Sequence, residues 1–278
     1  METVILQGVI EHGQGKGHLN GFPTANLRVE HQTLPAYGVY AAVLVTDDGQ
    51  MLAGVTNVGT RPTADQSARA TVETWLPGYQ GDLYGRHAAV ILLKYLRGIR
   101  AFEDMHELKA QIDHDAASGA EVSKAFMASD LLTRSAEETR QAGTRLSQHL
   151  RAGDVLTLSG PLGAGKSEFA RGIARGLGIT GALPSPTFTI LNVYETGKIA
   201  LYHYDWYRIE DPEELTAIGA EEHLPGPGVT LVEWAEQAPE LLPEERLEVT
   251  IMPLDPERRI IHLNPRGGFR NAEQWLTE

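Results

Sequence analysis

Eight residues, Gly160-Pro-Leu-Gly-Ala-Gly-Lys-Ser167, carry the most specific chemistry in this chain. Gly160, Gly163 and Gly165 permit a turn whose backbone N–H groups converge on one concave surface, and such a surface takes phosphate oxygens. Leu162 and Ala164 complete the cradle. Lys166 would reach the β- and γ-phosphates, and the Ser167 hydroxyl would sit on Mg²⁺. The flanks suit this chemistry. Asp154–Ser159 reads as a buried strand and Glu168–Leu177 as a helix, so the loop opens onto a helix N-terminus whose dipole favours anions.

A phosphate loop needs a second acid for the metal and a group that places water or an acceptor. Val229-Thr-Leu-Val-Glu233-Trp234 is an apolar strand ending in an acid, which suits Glu233 to the metal side. In Tyr202-His-Tyr-Asp205-Trp-Tyr-Arg208, Asp205 stands among polar aromatics and could order water or Mg²⁺. Pro184-Ser-Pro-Thr187-Phe-Thr-Ile190 is braced by prolines, and its Thr187 hydroxyl could sense a γ-phosphate as switch segments do. The plain alternatives are a solvated strand-end glutamate, a turn-forming aspartate and an ordinary loop.

The first half has a different glycine-rich stretch. Gly13, Gly15, Gly17 and Gly21 lie between Gly8 and Asn26 and could bring backbone close to phosphates, or could form a plain hairpin cluster. Thr24 and Asn26 share one side of an extended segment and would suit Mg²⁺ beside polyphosphate oxygens. Glu73, on Thr71-Val-Glu-Thr-Trp75, could take a hydroxyl proton if an alcohol binds beside it; otherwise it is a surface strand acid.

The elements that would position these groups fall into two sets. Val4–Ile10, Gly38–Thr46, Met51–Asn57, Ala70–Trp75 and His87–Tyr95 are short β-like runs, and Asp47-Asp-Gly49 is a hairpin signal. A helix pattern over about 102–117 follows, with Met105, Leu108 and Ile112 on one face. The set predicts a small antiparallel barrel closed by a helix, over residues 1–120. Residues 121–132 are small and polar and read as a linker. Ser135 and Glu138 fit a capping box, and strands then alternate with helices over 133–265, as in an α/β domain with a parallel sheet. Residues 266–278 read as a loosely packed tail.

Composition narrows the classes. The chain has 278 residues, no cysteine and a net charge of −13, with both halves acidic. Disulfides and thiolate metal sites are excluded, and unassisted nucleic-acid binding lacks its cationic surface. No apolar run reaches spanning length, and the first residues lack a signal-peptide pattern, so a cytoplasmic protein without membrane association is expected.

Four segments of the second half, Gly160–Ser167, Ser185–Ile190, His203–Ile209 and Val232-Glu-Trp-Ala235, resemble in order and spacing the TsaE (YjeE) family, over about 133–251. Its members are small P-loop ATPases that support threonylcarbamoyl modification of tRNA together with TsaB and TsaD. The resemblance implies that Lys166 and Ser167 hold phosphate and Mg²⁺, that Glu233 serves the metal and Asp205 hydrolysis, that Thr187 is switch-like, and that Trp234 lies by the nucleotide. Contact with tRNA would be indirect, through that complex.

In the first half, Gly21-Phe-Pro-Thr-Ala-Asn26, Gly38-Val-Tyr40, Gly54–Pro62, Thr71-Val-Glu73, Asp82–Gly85, Leu96-Arg97 and Gln111-Ile-x-x-Asp115 resemble riboflavin kinase, over about 4–118. That resemblance implies a six-stranded barrel that moves the ATP γ-phosphate to the riboflavin 5′-hydroxyl and so makes FMN. Thr24 and Asn26 would bind Mg²⁺–nucleotide, and Glu73 would be the general base. Bacterial relatives usually carry an FAD synthetase domain ahead of the kinase; here adenylylation of FMN is not expected. His18 stands where arginine is usual, Asn20 where an aliphatic residue is usual, and Trp75 and Pro77-Gly-Tyr79 depart from the common pattern. Two alternatives remain at this point: a non-catalytic flavin or nucleotide sensor in the first half, and a P-loop small-molecule kinase in the second.

Overall fold

The computed structural model describes residues 4–12, 24–29, 32–62, 68–181, 183–272 and 275–276. It divides into two compact units, Met1–Met127 and Ala128–Glu278.

The first unit is a closed barrel of β1 (Val4–Glu11), β2 (Thr24–Val29), β3 (Gly38–Thr46), β4 (Met51–Pro62), β5 (Ala68–Trp75) and β6 (His87–Arg97), in the order β1-β2-β5-β4-β3-β6. Every pairing is antiparallel. Closure leaves no sheet edge unpaired. Inward residues of alternating strands, among them Leu6, Ile10, Leu27, Leu44, Val58, Val72 and Val90, form the core. All nine residues of β3 are buried, because helix α1 (Met105–Ser129) covers its outer face. There Ser123 Oγ donates to the Ala42 carbonyl at 3.3 Å.

The second unit is a seven-stranded sheet ordered β7-β13-β12-β8-β11-β10-β9. Its strands are β7 (Asp130–Thr133), β8 (Val155–Ser159), β9 (Leu191–Tyr194), β10 (Leu201–Asp205), β11 (Val229–Glu233), β12 (Arg246–Pro253) and β13 (Arg259–Arg266). The central four, β12, β8, β11 and β10, are parallel, whereas β7, β13 and β9 run antiparallel to their neighbours. The sheet is therefore mixed, where alternation of strands and helices led us to expect a parallel one. Helices α2 (Ala136–Ser147), α3 (Lys166–Gly176) and α4 (Glu213–Ala217) accompany it. Phe169, Ala170 and Ile173 of α3 are fully buried. Gly172 lets α2 approach closely, since a Cβ there would meet the Arg140 carbonyl oxygen at 2.0 Å. Ser135 caps α2, its Oγ accepting from Glu138 N at 3.1 Å, while the Glu138 carboxylate accepts from Arg134 N rather than completing a capping box on Ser135.

Two expectations about the connections change. Residues 121–132 are not an irregular linker: α1 continues to Ser129, and β7 begins at Asp130 and joins the sheet beside β13. The alanine, glutamate and lysine of that stretch favour helix despite their small or polar character. The tail is also packed. Phe269, Ala272 and Leu276 belong to the second unit's core, Trp275 stacks on His149 at 4.9 Å, and Arg270 pairs with Asp154 at 2.6 Å. Among the described residues no helix is long and apolar enough to cross a membrane.

Where β7 enters the sheet, Asp130 is buried with Oδ1 3.2 Å from His262 Nδ1 and Oδ2 without a hydrogen-bond partner. Burial pushes its pKa up to about 6, against the opposing pull of His262. A carboxyl whose pKa is higher in the folded than in the unfolded chain binds protons preferentially in the folded state, so stability falls as pH rises from about 4 to 6. Asp130→Asn removes that loss. Urea unfolding should show the variant equal to wild type near pH 4 and more stable by about 2 kcal/mol at pH 7; a variant less stable than wild type at pH 7 contradicts this.

Candidate nucleotide-binding sites

The first site of the second unit grows from strand register. Asp205 on β10 pairs with Glu233 on β11, and Glu233 with Leu158 on β8, so three parallel strands end level with one another. The loop after β8 is Gly160–Gly165, and Gly165 is the N-cap of α3 with φ 109°. An L-residue side chain is strained at that φ, and a Cβ would meet Arg259 Cδ at 3.2 Å. Crevices outside the carboxyl ends of parallel strands are where α/β folds bind ligands. Here the crevice is a cleft of about 490 Å³, lined by Leu162–Glu168, Ser185, Thr187, Asp205, Tyr207, Glu233 and Trp234.

Except for Gly160, the residues singled out in this half line the cleft. Lys166 is 6 % exposed; its Nζ donates to the carbonyls of Gly160 at 2.7 Å and Pro161 at 3.2 Å and lies 4.4 Å from the Trp234 ring centroid. Burial lowers its pKa below the ordinary lysine value, and the charges of Glu233, Glu236 and Asp205 oppose that shift. Asp205 is buried and held by three donors: Oδ2 accepts from Ser185 Oγ at 3.0 Å and Thr187 Oγ1 at 2.6 Å, and Oδ1 from Tyr207 N at 3.0 Å. Thr187 is thus tied to the acid rather than being a free loop hydroxyl. Trp234 has φ 58° and Ile190 φ 63°, the two non-glycine residues with positive φ among those described, and they flank the two acids. Such strain concentrates at functional sites.

Glu233 has a partner that sequence reasoning did not assign. His203 Nε2 lies 3.0 Å from Glu233 Oε1, and both side chains are buried. His203 Nδ1 has no hydrogen-bond partner, so the contact with Glu233 is made by Nε2 alone. Its sequence signals were its place in the segment His203–Ile209 and its spacing, since His203 and Asp205 share one face of β10.

The hydroxyl of Ser167 and the carboxylates of Asp205 and Glu233 are hard oxygen donors in one cleft with Lys166. They fit Mg²⁺ held by one or two protein oxygens and completed by phosphate and water. Among the described residues no group of three or more His, Cys, Asp or Glu could hold a metal through protein ligands alone.

In the barrel, Asn26 on β2 and Asn57 on β4 both pair with Glu73 on β5, which sets the three residues in one row across three strands. Thr24 lies two residues from Asn26, whose Nδ2 donates to the Thr24 carbonyl at 3.1 Å. Thr24, Asn57 and Glu73 line a cavity of about 270 Å³ whose walls include Val39, Val55, Trp75, Phe102 and Ile112. Arg97 closes it through a pair with Asp115 at 2.7 Å, and Gln111 donates to the same carboxylate at 2.7 Å. A mostly apolar chamber with an acid and amide at one end suits a flat organic ligand. Asn57 was not assigned a role from sequence; its register opposite Glu73 is what places it here. Gly13, Gly15, Gly17 and Gly21, with His18 and Asn20, lie outside the described residues.

The second unit is thus a P-loop nucleotide-binding domain, and the first a small barrel with a separate cavity. The family described as Threonylcarbamoyl adenosine biosynthesis protein TsaE matches residues 133–261, and the Riboflavin kinase family matches residues 1–123. The tRNA threonylcarbamoyladenosine biosynthesis protein TsaE of Bacillus subtilis is 48% identical over 142 residues, 51% of this chain and 87% of the relative. Its counterpart in Treponema pallidum is 42% identical over 120 residues, 43% of this chain and 88% of the relative. Among solved structures, Bacillus subtilis YdiB aligns with a TM-score of 0.44 and 40% identity over 53% of this chain and 90% of that one. Riboflavin kinase from Trypanosoma brucei aligns with a TM-score of 0.33 and 16% identity over 44% and 80%. The chain belongs to the TsaE family through its second unit and carries a riboflavin kinase domain in its first.

The His203–Glu233 contact makes a stability prediction. His203→Leu leaves a buried carboxylate without its donor and should cost about 1–3 kcal/mol in urea unfolding at pH 7. The double variant His203→Leu/Glu233→Leu should cost less than the two single changes summed; simple additivity would show that the pair is not coupled.

Proposed function

We propose that the chain is bifunctional: its barrel phosphorylates riboflavin to FMN with ATP, and its second unit binds and hydrolyses ATP in support of threonylcarbamoyladenosine modification of tRNA. The single observation that carries the second part is the convergence of Lys166, Ser167, Asp205 and Glu233 on one cleft at the level ends of β8, β11 and β10. For the first part it is the row of Asn26, Glu73 and Asn57 beside an apolar cavity.

In the barrel, the riboflavin ring would lie between Trp75, Phe102 and the Ile112 face of α1, with its ribityl chain toward Glu73. Glu73 takes the 5′-hydroxyl proton as that oxygen bonds to the γ-phosphorus and the bond to the ADP oxygen breaks. Thr24 and Asn26 hold the Mg²⁺–nucleotide end. When bound, Mg²⁺ would neutralise charge on the transferring phosphoryl group in both domains.

In the second unit, Lys166 exchanges its bonds to the Gly160 and Pro161 carbonyls for phosphate oxygens, and Trp234 packs beside the nucleotide. Asp205 orders the attacking water, and because Thr187 and Ser185 are bonded to it, a change at the γ-phosphate passes to the segment 185–190. That segment is the proposed signal to TsaB- and TsaD-like partners, through which tRNA is served. The expected compartment is the cytoplasm.

Two assays on the full chain test the assignment crosswise. Glu73→Gln should lower FMN formation by on the order of 10²-fold or more while riboflavin still quenches on binding. The same variant should leave ATP hydrolysis in the presence of TsaB- and TsaD-like proteins unchanged. Lys166→Ala should do the reverse. Wild-type protein that binds riboflavin but forms no FMN would identify the barrel as a sensor, and undiminished hydrolysis by Lys166→Ala would remove the P-loop assignment.

A further inference from the structure

Arg259, at the start of β13, is 7 % exposed. Its guanidinium has two hydrogen bonds, both to neutral acceptors: Nη1 donates to Thr139 Oγ1 at 3.0 Å and Nη2 to the Pro256 carbonyl at 3.2 Å. Nε is buried with no partner, and no ion pair with a carboxylate is formed among the described residues. A guanidinium carries a permanent charge, and taking one out of water without a counter-charge is costly.

Its neighbours do not offset that cost. Thr139 sits in the first turn and a half of α2, and its hydroxyl hydrogen goes to the Ser135 carbonyl at 3.0 Å, leaving lone pairs for Arg259. On the other side the arginine stem runs against Gly165, the N-cap of α3; a Cβ on that glycine would lie 3.2 Å from Arg259 Cδ and 3.4 Å from Nε. The charge therefore lies next to the positive ends of two helices, both of which repel it. An arrangement that violates local electrostatics without compensation within the fold points to a function that supplies the compensation. Gly165 itself lines the cleft, whereas Arg259 is not among the lining residues.

We propose that Arg259 is a positioning residue for polyphosphate: a buried cation behind the loop whose counter-charge is the bound triphosphate in front of it. It touches no ligand atom. It acts through the loop, fixing Gly165 from behind and adding to the potential already made by the α3 N-terminus and Lys166. The inference rests on the reading that this cleft binds a nucleoside triphosphate, and it adds a source of discrimination by phosphate charge rather than by base. A Cβ at residue 165 would crowd Arg259 as well as being strained at φ 109°, so the glycine and the arginine pack closely across 94 positions of sequence.

The test is a binding series on the full chain with Mg²⁺ and a non-hydrolysable ATP analogue, ADP, AMP and adenosine, taking in each case the component that Lys166→Ala abolishes. Arg259→Met should weaken the triphosphate by about tenfold or more, the diphosphate less, and adenosine not at all, because the lost attraction scales with ligand charge. Arg259→Lys should keep the wild-type order. If Arg259→Met does not fold, Arg259→Gln against Arg259→Lys gives the same comparison. A loss shared equally by all four ligands, or a Lys variant that behaves as the neutral ones do, makes Arg259 scaffolding and overturns the inference. Wild-type protein with no Lys166-dependent binding of the triphosphate overturns the nucleotide reading itself, and this inference with it.

Discussion

Carboxylates held out of water must be answered by donors or cations, and that constraint organises the second unit. Asp205 and Glu233 are nearly inaccessible and sit side by side because β10 and β11 are parallel and in register. Each is answered differently. Asp205 takes three donors from two chain segments, so its position is coupled to the segment 185–190. Glu233 has His203 on one oxygen. The ammonium of Lys166 lies in the same cleft, and the acids resist the loss of its charge that burial would otherwise favour. Slip the register of β11 by one residue and Glu233 turns to the other face of the sheet, leaving the lysine without one of its acids.

The barrel places its acid differently. Glu73 is flanked in its row by two asparagines, and the cavity it lines has a mostly apolar wall of Val39, Val55, Trp75, Ile99, Phe102, Leu108 and Ile112. The charged pair of that chamber, Arg97 with Asp115, is set where β6 meets α1 and carries the wall rather than the proposed chemistry. Arg97 and Arg100 both approach the Phe102 ring, at 5.6 and 4.7 Å, which fixes the aromatic side of the cavity. The two domains thus build their candidate sites by different means: a glycine loop and a cation in one, an acid–amide row in the other.

Much of this was legible in the sequence because it is local. The glycines of 160–165 and the apolar strand before them declare the loop without tertiary information, and β3 lies where alternation and composition put it, Gly38–Thr46. What was not legible depends on partners far along the chain. Residues 121–129 look like a linker until α1 is seen to continue through them, and Phe269 and Leu276 look like a tail until the core is seen to take them. His203 and Asn57 lie inside recognisable motifs, but only cross-strand register reveals what each faces. Arg259 gave no signal at all, since its meaning comes from Gly165 and Thr139, neither of them near it in sequence.

The central proposal is that each unit holds a nucleotide of its own. Equilibrium titration of the full chain with a non-hydrolysable ATP analogue and Mg²⁺, read by calorimetry, measures this directly. The stoichiometry should be two per chain, falling to one in Lys166→Ala while the remaining site keeps its affinity. One nucleotide per wild-type chain, or two still bound after the lysine is removed, would contradict it.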